Sequence, residues 1–468
     1  MEAVHRIIIA LNQQLSDYVL LFLLFGAGLW FSFKTRFVQI RYFREGIRRF
    51  FGSLAGKKEK QADGMSSFQA LATAVAAQVG TGNIVGASGA ILTGGPGAIL
   101  WMWIIAFFSM ATVYAEAVLA QKTRVKSAQG GYLGGPAYYI SAAFKGKTGK
   151  LLAGLFAVAS IIAMGFFGAM VQANSIAETL HSAFGIPSWI IGILLVLLSA
   201  YIFMGGTRRL AGVVEILVPV MAGIFLLGAL IVLLMNISRL PEGIGLIFKY
   251  AFSPQAIIGG SFGSAIKIAL SQGAKRGLFS NEAGMGTTPH AHAQAIVDHP
   301  HQQGTMAIIG VFIDTFVVLT LNALVIITTL YTAGAPLAEG RIPEGISSTN
   351  LCQTAFSTAF GSSAGPIFVA VCLFFFAFSS ILGWNLFGKI NSCYLLGEKS
   401  ILFYQIAALG SVFLGTVSGS DLVWDLSDLI NQLTVLPNVL ALFALSGTVG
   451  LILKSYEKKD KTLPNPPV

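Results

Sequence analysis

Charged residues are scarce in this sequence. They make up 11% of its 468 residues, whereas an ordinary globular domain carries roughly 25%, and the mean hydropathy is +0.74. This deficit excludes a chain built only of soluble domains. Cysteine is scarce as well, and Cys352, Cys372 and Cys393 are widely spaced, which argues against a disulfide framework.

Motifs for ATP hydrolysis and for catalysis inside a membrane are missing. The sequence contains no Gly-x-x-x-x-Gly-Lys-Ser/Thr loop, which is the loop that holds nucleotide phosphates. It contains no paired intramembrane aspartates, no Ser–His pair and no histidine–glutamate metal motif at matching depth, and hydrolysis would need such groups. These absences argue against an ATPase and against an enzyme, and no cofactor is predicted.

Long apolar runs take the place of charge. Hydrophobic residues make up 55% of the chain, and the 53 glycines and 35 phenylalanines are common in packed transmembrane helices. The runs are continuous over ~20 residues and do not alternate over ~10, which favours helices over a β-barrel. We predict an all-α polytopic membrane protein with eleven transmembrane helices, at about 16–33, 66–93, 96–121, 151–180, 187–204, 212–236, 255–275, 304–332, 364–394, 401–418 and 424–453.

The distribution of lysine and arginine supports this map. With the N-terminus outside and the C-terminus in the cytoplasm, the cytoplasmic connections and tail hold 25 of the 30 basic residues and the outer connections hold four. Cytoplasmic loops carry such an excess, so the pattern favours a multi-pass protein of the cell (inner) membrane in this orientation. The net charge of +10 is explained by topology and does not indicate nucleic-acid binding.

Two predicted spans are interrupted by glycine and polar residues. The second contains Gly-Thr-Gly-Asn at 80–83, and the seventh contains Gly-Gly-Ser-Phe-Gly-Ser at 259–264. The interval is five spans, so the two interrupted helices run in opposite directions, as in inverted five-helix repeats. The predicted division is a leading helix and basic connection at 1–60, a first repeat at 61–240, a second repeat at 241–453 and a tail at 454–468.

A helix that breaks inside a membrane leaves backbone groups in need of partners. The N–H groups of one half attract an anion, and the carbonyl groups of the other half attract a cation. The two interruptions therefore predict a site for a solute with a carboxylate, together with a monovalent cation. Close helix packing at small residues is the alternative interpretation of the glycines.

Several motifs carry a resemblance to a known family. They are Gly80-Thr81-Gly82-Asn83, Gly94-Gly95-Pro96-Gly97-Ala98, Trp101-Met102-Trp103, Met170-Val171-Gln172-Ala173-Asn174-Ser175 and Gly277-Leu278-Phe279-Ser280-Asn281-Glu282-Ala283-Gly284-Met285-Gly286-Thr287. With these, nearly the whole chain resembles the alanine or glycine:cation symporter family. The resemblance implies a LeuT-type fold and uptake of alanine or glycine coupled to sodium, with proton coupling as the alternative. A channel is less favoured, because the chain is pseudosymmetric within itself.

The same resemblance implies residues for the substrate. The amides of Thr81 and Gly82 would hold the carboxylate, and Gln172 lies near the middle of the membrane in the predicted span at 151–180. The alternative for Gln172 is an interhelical hydrogen bond. The remaining predicted substrate residues are Gly259, Gly260 and Ser261, whose carbonyls would face the ammonium, Gly263 beside them, and the bulky walls Phe262 and Trp384. A small pocket favours glycine, alanine or serine.

The resemblance also implies two cation sites. The side chain of Asn83 would contact one cation near the substrate carboxylate. The carbonyls of Ala76 and Val79, with the hydroxyls of Ser379 and Ser380, would hold a second. Neutral oxygens suit sodium, whereas helix packing is the alternative role of the two serines.

Asp314 lies inside the predicted span at 304–332. A carboxylate in a membrane is costly and is a functional candidate by default. It could join a cation site together with Thr315, carry a coupling proton, or pair with Lys267. Sodium is favoured as the transported cation, and the predicted partners are a small neutral amino acid, sodium and lipid.

Polar residues outside these sites are given structural roles. The segment Ser280–Ala293 follows Lys275 and Arg276, so it is expected in the cytoplasm as an inner gate or brace, apart from the substrate. The histidines His290, His292, His299 and His301 are interpreted as a solvated loop in preference to a metal site. Glu116 and Glu215 lie nearer span ends and are expected in interfacial salt bridges.

Overall fold

The computed structural model describes residues 2–55, 64–128, 130–252, 262–338, 342–343, 345–418 and 420–458. Helices dominate this part of the chain. Two short strands, Val125–Lys126 and Tyr132–Leu133, pair antiparallel as a hairpin.

The helices follow one another with short connections. In the first half they are α1 (Glu2–Gln14), α2 (Leu21–Lys34), α3 (Val38–Arg41), α4 (Phe43–Ala55), α5 (Ser67–Gln78), α6 (Ala87–Gly94), α7 (Ala98–Thr123), α8 (Pro136–Ala143), α9 (Gly146–Ser160), α10 (Ala169–Phe184), α11 (Ser188–Met204) and α12 (Gly206–Met235). In the second half they are α13 (Leu240–Phe252), α14 (Phe262–Asn281), α15 (Pro289–Ala293), α16 (Pro300–Val311), α17 (Thr320–Leu330), α18 (Leu351–Leu396), α19 (Ile401–Val417), α20 (Ser420–Ala444) and α21 (Ser446–Glu457). Wider π-helical turns occupy Leu15–Leu20, Gly82–Gly86, Ile161–Gly168 and Phe312–Leu319, and 3-10 turns occupy Ile237–Arg239 and Glu398–Ser400.

Many of these helices match the predicted spans. Among the described residues, seven helical stretches are long and apolar enough to cross a membrane, or eight when the bent pair α5 and α6 counts as one. Every predicted span overlaps a helix. α18 extends the span expected at 364–394 towards the N-terminus as far as Leu351, across a kink at Gly361 where φ is 86°.

Three helices of eight or more residues lie where the sequence predicts only connections between spans. They are α4, α8 and α13, of 13, 8 and 13 residues. A search for long apolar runs finds helices that are apolar on all sides. It misses short helices and helices with one polar face, such as α4 with its sequence Phe-Arg-Glu-Gly-Ile-Arg-Arg-Phe-Phe.

The interruption predicted in the second span is confirmed. α5 ends at Gln78, and the helix that resumes at Gly82 is bent by 49° from it. α5 begins with a capping box in which the Ser66 side chain and the Gln69 side chain each bond the other's backbone N–H, which satisfies two donors at the helix start. The bend therefore separates two well-defined half-helices.

The interruption predicted in the seventh span lies mostly outside the described residues, because these omit 253–261 and α14 begins at Phe262. A different interruption follows α14. Glu282, Gly284 and Gly286 have φ of 56°, 79° and 78°, in the left-handed region that ends helices and favours glycine. Helical structure resumes at Pro289. The chain therefore departs from a helix at 282–288, within the segment that the sequence predicts as a connection between the spans at 255–275 and 304–332.

Candidate functional site

Asn83 ties the first helix break to the π-helical turn Phe312–Leu319. Its Oδ1 accepts the N–H of Gly80 at 3.1 Å, and its Nδ2 donates to the Asp314 carboxylate at 2.7 Å and to the Asp314 carbonyl at 3.1 Å. Asn322 extends the contact, since its Nδ2 donates to the Asn83 carbonyl at 2.8 Å. The polar residue predicted near the first cation therefore lies at the centre of a buried network.

Ser379 and Ser380 reach the same break from α18. Both hydroxyls donate to the carbonyl of Ala76, at 3.1 and 3.0 Å, and Ser380 also lies 3.3 Å from the Ala77 carbonyl. Gly80 permits this approach, because a Cβ there would lie 2.4 Å from Ser380 Oγ. The structure thus brings together three predicted oxygen ligands, and the fourth, Val79, is buried at the end of α5.

Gln172 and Trp384 flank the break from α10 and α18. The Gln172 Oε1 accepts the N–H of Thr81 at 3.4 Å, and Gln172 is buried. The Trp384 ring packs on Gly168, where a Cβ would lie 2.5 Å from a ring carbon. The predicted substrate residues of the described segments are therefore neighbours, whereas Gly259, Gly260 and Ser261 lie outside the described residues and nothing is described of the side chains of Phe262 and Gly263.

Asp314 is fully buried, and both oxygens of its carboxylate accept hydrogen bonds. It accepts from Asn83, from Ser280 at 3.1 and 3.0 Å, and from Thr315 at 2.8 Å. These partners come from α5–α6, α14 and its own helix, so the carboxylate braces three elements. Lys267, the partner considered from sequence, is exposed.

The segment after α14 lies against the first break, as a brace on the span predicted at 66–93 would. Gln78 donates to the carbonyl of Asn281 at 2.7 Å, and Trp384 donates its indole N–H to Glu282 at 2.7 Å. A Cβ on Gly82 would lie 3.3 Å from the Ser280 Cα. Lys275 and Arg276, which are expected in a cytoplasmic connection, lie within α14.

Glu116 holds the interruption at 282–288 in place. Its carboxylate accepts the N–H groups of Gly284 at 3.3 Å and Gly286 at 3.1 Å, and the amide of Asn438 at 2.7 Å. The side chain is fully buried, so the expected interfacial salt bridge is wrong. Glu215 accepts a hydrogen bond from Gln69 at 3.0 Å.

The four histidines do not form a solvated loop, because His290, His292 and His301 are buried. The ring of His290 stacks between Phe156 and Phe387. Gln303 bonds His292 at 2.8 Å, and the Tyr114 hydroxyl bonds His301 at 2.7 Å. Within the part of the chain that the structure describes, no group of three His, Cys, Asp or Glu side chains could hold a metal ion.

Sequence reasoning missed Ser280, Glu282, Glu116 and Asn322 as residues of this site. One signal was available for Glu282: a carboxylate flanked by alanine and glycine directly after an apolar helix, inside the motif that carried the family resemblance most specifically. Glu116 and Asn322 gave no such signal, because one polar residue in an apolar helix does not reveal its partner.

Comparison with known proteins places the chain among transporters. Sodium/alanine symporter AgcS of Methanococcus maripaludis is 38% identical over 443 residues, covering 94% of this chain and 95% of AgcS. GlnT of Bacillus subtilis, named a probable sodium/glutamine symporter, is 36% identical over 456 residues, covering 97% and 91%.

The fold has solved counterparts as well. The crystal structure of MhsT in complex with L-phenylalanine superposes with a TM-score of 0.58 over 85% of this chain and 90% of MhsT, at 14% identity. At that identity the likeness shows a shared LeuT-type fold alone. The model of the sodium:alanine symporter family matches residues 1–468. This multi-pass membrane protein therefore belongs to the sodium:alanine symporter family.

Proposed function

We propose that the protein is a secondary active symporter that imports small neutral amino acids, alanine and glycine, with sodium by alternating access. The observation that carries the proposal is the meeting of the Ala76 carbonyl with the hydroxyls of Ser379 and Ser380 beside a broken helix. Neutral oxygens from a carbonyl and two hydroxyls are the ligands that sodium accepts without excess negative charge. The name of AgcS, a sodium/alanine symporter, supports sodium and alanine as the transported pair.

The proposed architecture is eleven transmembrane helices, with a leading helix followed by two inverted five-helix repeats at 61–240 and 241–453. The overlap of each predicted span with a helix and the likeness to MhsT support it. The proposed orientation has the N-terminus outside and the C-terminus in the cytoplasm of the cell membrane, and it rests on the distribution of basic residues.

The proposed substrate site combines residues of the break at 80–83 with the carbonyls of Gly259, Gly260 and Ser261, proposed to face the ammonium, and with Phe262 and Gly263. The amides of Thr81 and Gly82 receive the carboxylate, with Gln172 beside them, and Trp384 forms a wall. Packing of Trp384 on Gly168 leaves little room there, which favours a small side chain. A relative named for glutamine makes a larger polar substrate the competing candidate.

Asn83, Asp314 and Thr315 form the proposed site of the first cation. Their hydrogen bonds at 2.7 and 2.8 Å keep oxygens together in a buried region. Proton coupling is the alternative, with Asp314 as the proton carrier, because a buried carboxylate inside a membrane can serve a proton relay.

Uptake into liposomes tests the proposed function. The purified protein is expected to accumulate labelled alanine and glycine under an inward sodium gradient, and not under a proton gradient alone. Labelled glutamine provides the comparison for substrate size. Accumulation driven by protons without sodium would contradict sodium coupling, and equilibration without accumulation under either gradient would contradict symport.

Replacing Ser380 by alanine is expected to raise the half-saturating sodium concentration roughly tenfold, since one lost ligand of about 1.4 kcal/mol has that effect. Selectivity between alanine and glycine should change little. Ser411→Ala is the matched control, because the Ser411 hydroxyl bonds the Ala407 carbonyl within its own helix at 3.1 Å. Equal sodium dependence in Ser380→Ala and the parent would contradict the second cation site.

A further inference from the structure

Glu282 is a buried carboxylate in the interruption at 282–288. The proposed substrate and cation sites do not include this carboxylate. It follows α14 directly, is 2% exposed, and has a left-handed backbone with φ of 56°. That conformation is unfavourable for a residue with a side chain, so the surroundings must hold it there. The bonds from Glu116 to the N–H groups of Gly284 and Gly286 supply this constraint two residues away.

The two oxygens of Glu282 differ in their partners. Oε1 accepts the indole N–H of Trp384 at 2.7 Å, whereas the buried Oε2 has the Thr287 hydroxyl nearby but makes no hydrogen bond of good geometry among the described residues. The carboxylates of Asp314 and Glu116 differ, because each of their oxygens accepts at least one hydrogen bond. A buried acceptor without a partner is costly in a folded protein, so the free oxygen of Glu282 suits a ligand.

Other atoms of the segments that meet at the two interruptions share this property. Buried polar atoms without a hydrogen-bond partner among the described residues include the acceptor Gln78 Oε1, the hydroxyl of Thr81, and the donors Asn281 Nδ2 and Asn385 Nδ2. A bare cation would satisfy acceptors and leave the amide donors without partners. A zwitterion offers N–H donors at one end and carboxylate acceptors at the other, and so it matches the whole set.

The local charge points to the positive end of that zwitterion. Among the ion pairs of the described residues, none joins Glu282 or Asp314 to a lysine, arginine or histidine. A positively charged group near a carboxylate is attracted far more strongly in a region of low dielectric than in water. An ammonium donates charge-assisted hydrogen bonds, which are about twice as strong as neutral ones.

We propose that Glu282 binds the ammonium group of the substrate amino acid: Oε2 accepts an ammonium N–H, while Oε1 remains bonded to the Trp384 indole. This inference rests on the proposed amino-acid transport and gives the ammonium a charged partner in the segment 282–288. The carboxylate of the substrate then lies towards the amides of Thr81 and Gly82.

Glu282→Gln tests the inference, because glutamine keeps the size of the side chain and an oxygen for Trp384 while removing the charge. The KM for alanine is expected to rise roughly 10- to 100-fold, the range for loss of one charge-assisted bond. The half-saturating sodium concentration, measured at saturating alanine, should stay as in the parent. Competition supplies a readout of charge: lactate has a hydroxyl in place of the ammonium, so the preference for alanine over lactate should fall in Glu282→Gln.

Two further variants separate recognition from packing. Trp384→Phe keeps an aromatic ring but loses the indole N–H, and it should retain the preference for alanine over lactate. Glu282→Asp keeps the charge, and it should retain that preference even if folding or expression of Glu282→Gln is poor. If Glu282 served only to anchor Trp384, Glu282→Gln, which keeps an oxygen for the indole N–H, would behave like the parent.

The outcomes distinguish this inference from the proposed function. A parent that transports alanine, together with an unchanged KM and lactate preference in Glu282→Gln, overturns the inference alone. A raised sodium requirement with an unchanged KM for alanine assigns the carboxylate to the cation and also overturns it. A parent that accumulates neither alanine nor glycine overturns the proposed function, and this inference with it.

Discussion

Replacing Gly80 by alanine is expected to abolish sodium-dependent uptake. The added Cβ would lie 2.4 Å from Ser380 Oγ and 3.4 Å from Gln172 Oε1. Both side chains are buried, so relief requires Ser380 to leave the rotamer that contacts the Ala76 carbonyl, or the break to shift relative to α18. Overpacking of this kind typically costs about 1–3 kcal/mol, and here the displaced groups are those proposed to bind cation and substrate. Uptake in liposomes and the thermal unfolding of the purified protein measure the two effects.

Two variants make the Gly80 prediction specific. Gly223→Ala is the control, because nothing lies within 4 Å of a Cβ on Gly223 in α12, and uptake should be preserved. Adding Ser380→Ala to Gly80→Ala removes the clashing oxygen and leaves the Ser380 Cβ at 3.4 Å. The double variant should therefore regain thermal stability without regaining sodium affinity. Normal transport by Gly80→Ala would disprove the tight approach.

Replacing Glu116 by alanine is expected to destabilise the protein strongly and to stop transport. The Glu116 carboxylate accepts the N–H groups of Gly284 and Gly286 and the amide of Asn438. Each buried donor left without its partner costs about 1–3 kcal/mol. The variant should unfold at a clearly lower temperature than the parent, and its uptake should be lost because the 282–288 segment carries groups of the site.

Conservative variants distinguish the bonding role of Glu116 from its volume. Glu116→Gln keeps one oxygen for the backbone N–H groups, so its stability should lie between those of the parent and Glu116→Ala. Glu242→Ala is the control, since Glu242 is exposed and bonds the N–H of Ala333 at 2.8 Å. Surface substitutions of this type usually change stability by about 0.5 kcal/mol or less. A Glu116→Ala protein as stable as Glu242→Ala would show that the carboxylate does not hold the turn.

The two interruptions differ in how far they could be predicted. The break at 80–83 was predictable, because Gly80, Thr81, Gly82 and Asn83 place small and polar residues inside an apolar run. The interruption at 282–288 follows Lys275 and Arg276, a basic pair that predicts a cytoplasmic loop. The structure places both residues in a continuous helix, where long basic side chains can bury their stems and keep their charges in polar surroundings.

Contacts between distant residues of the site could be predicted only where the family resemblance supplied them. Ser379 and Ser380 were predicted next to the first break through a family resemblance, and they contact the Ala76 carbonyl. Glu116 was expected at an interface, although it lies buried against Gly284 and Gly286. Hydrophobic periodicity describes each helix separately, and it contains no information on which two helices will meet at a given polar residue.

The sequence by itself determined the class of protein, the approximate positions of its helices, the first helix break and the family. These properties depend on local composition and on the cost of placing polar groups in lipid, and both can be evaluated along the chain. Only the tertiary structure decided that Glu116 holds the turn after Glu282, and that Asp314 braces three elements while Glu282 keeps one oxygen without a hydrogen bond of good geometry. Those roles depend on which donors from distant segments arrive at each carboxylate, and only the packed helices determine that.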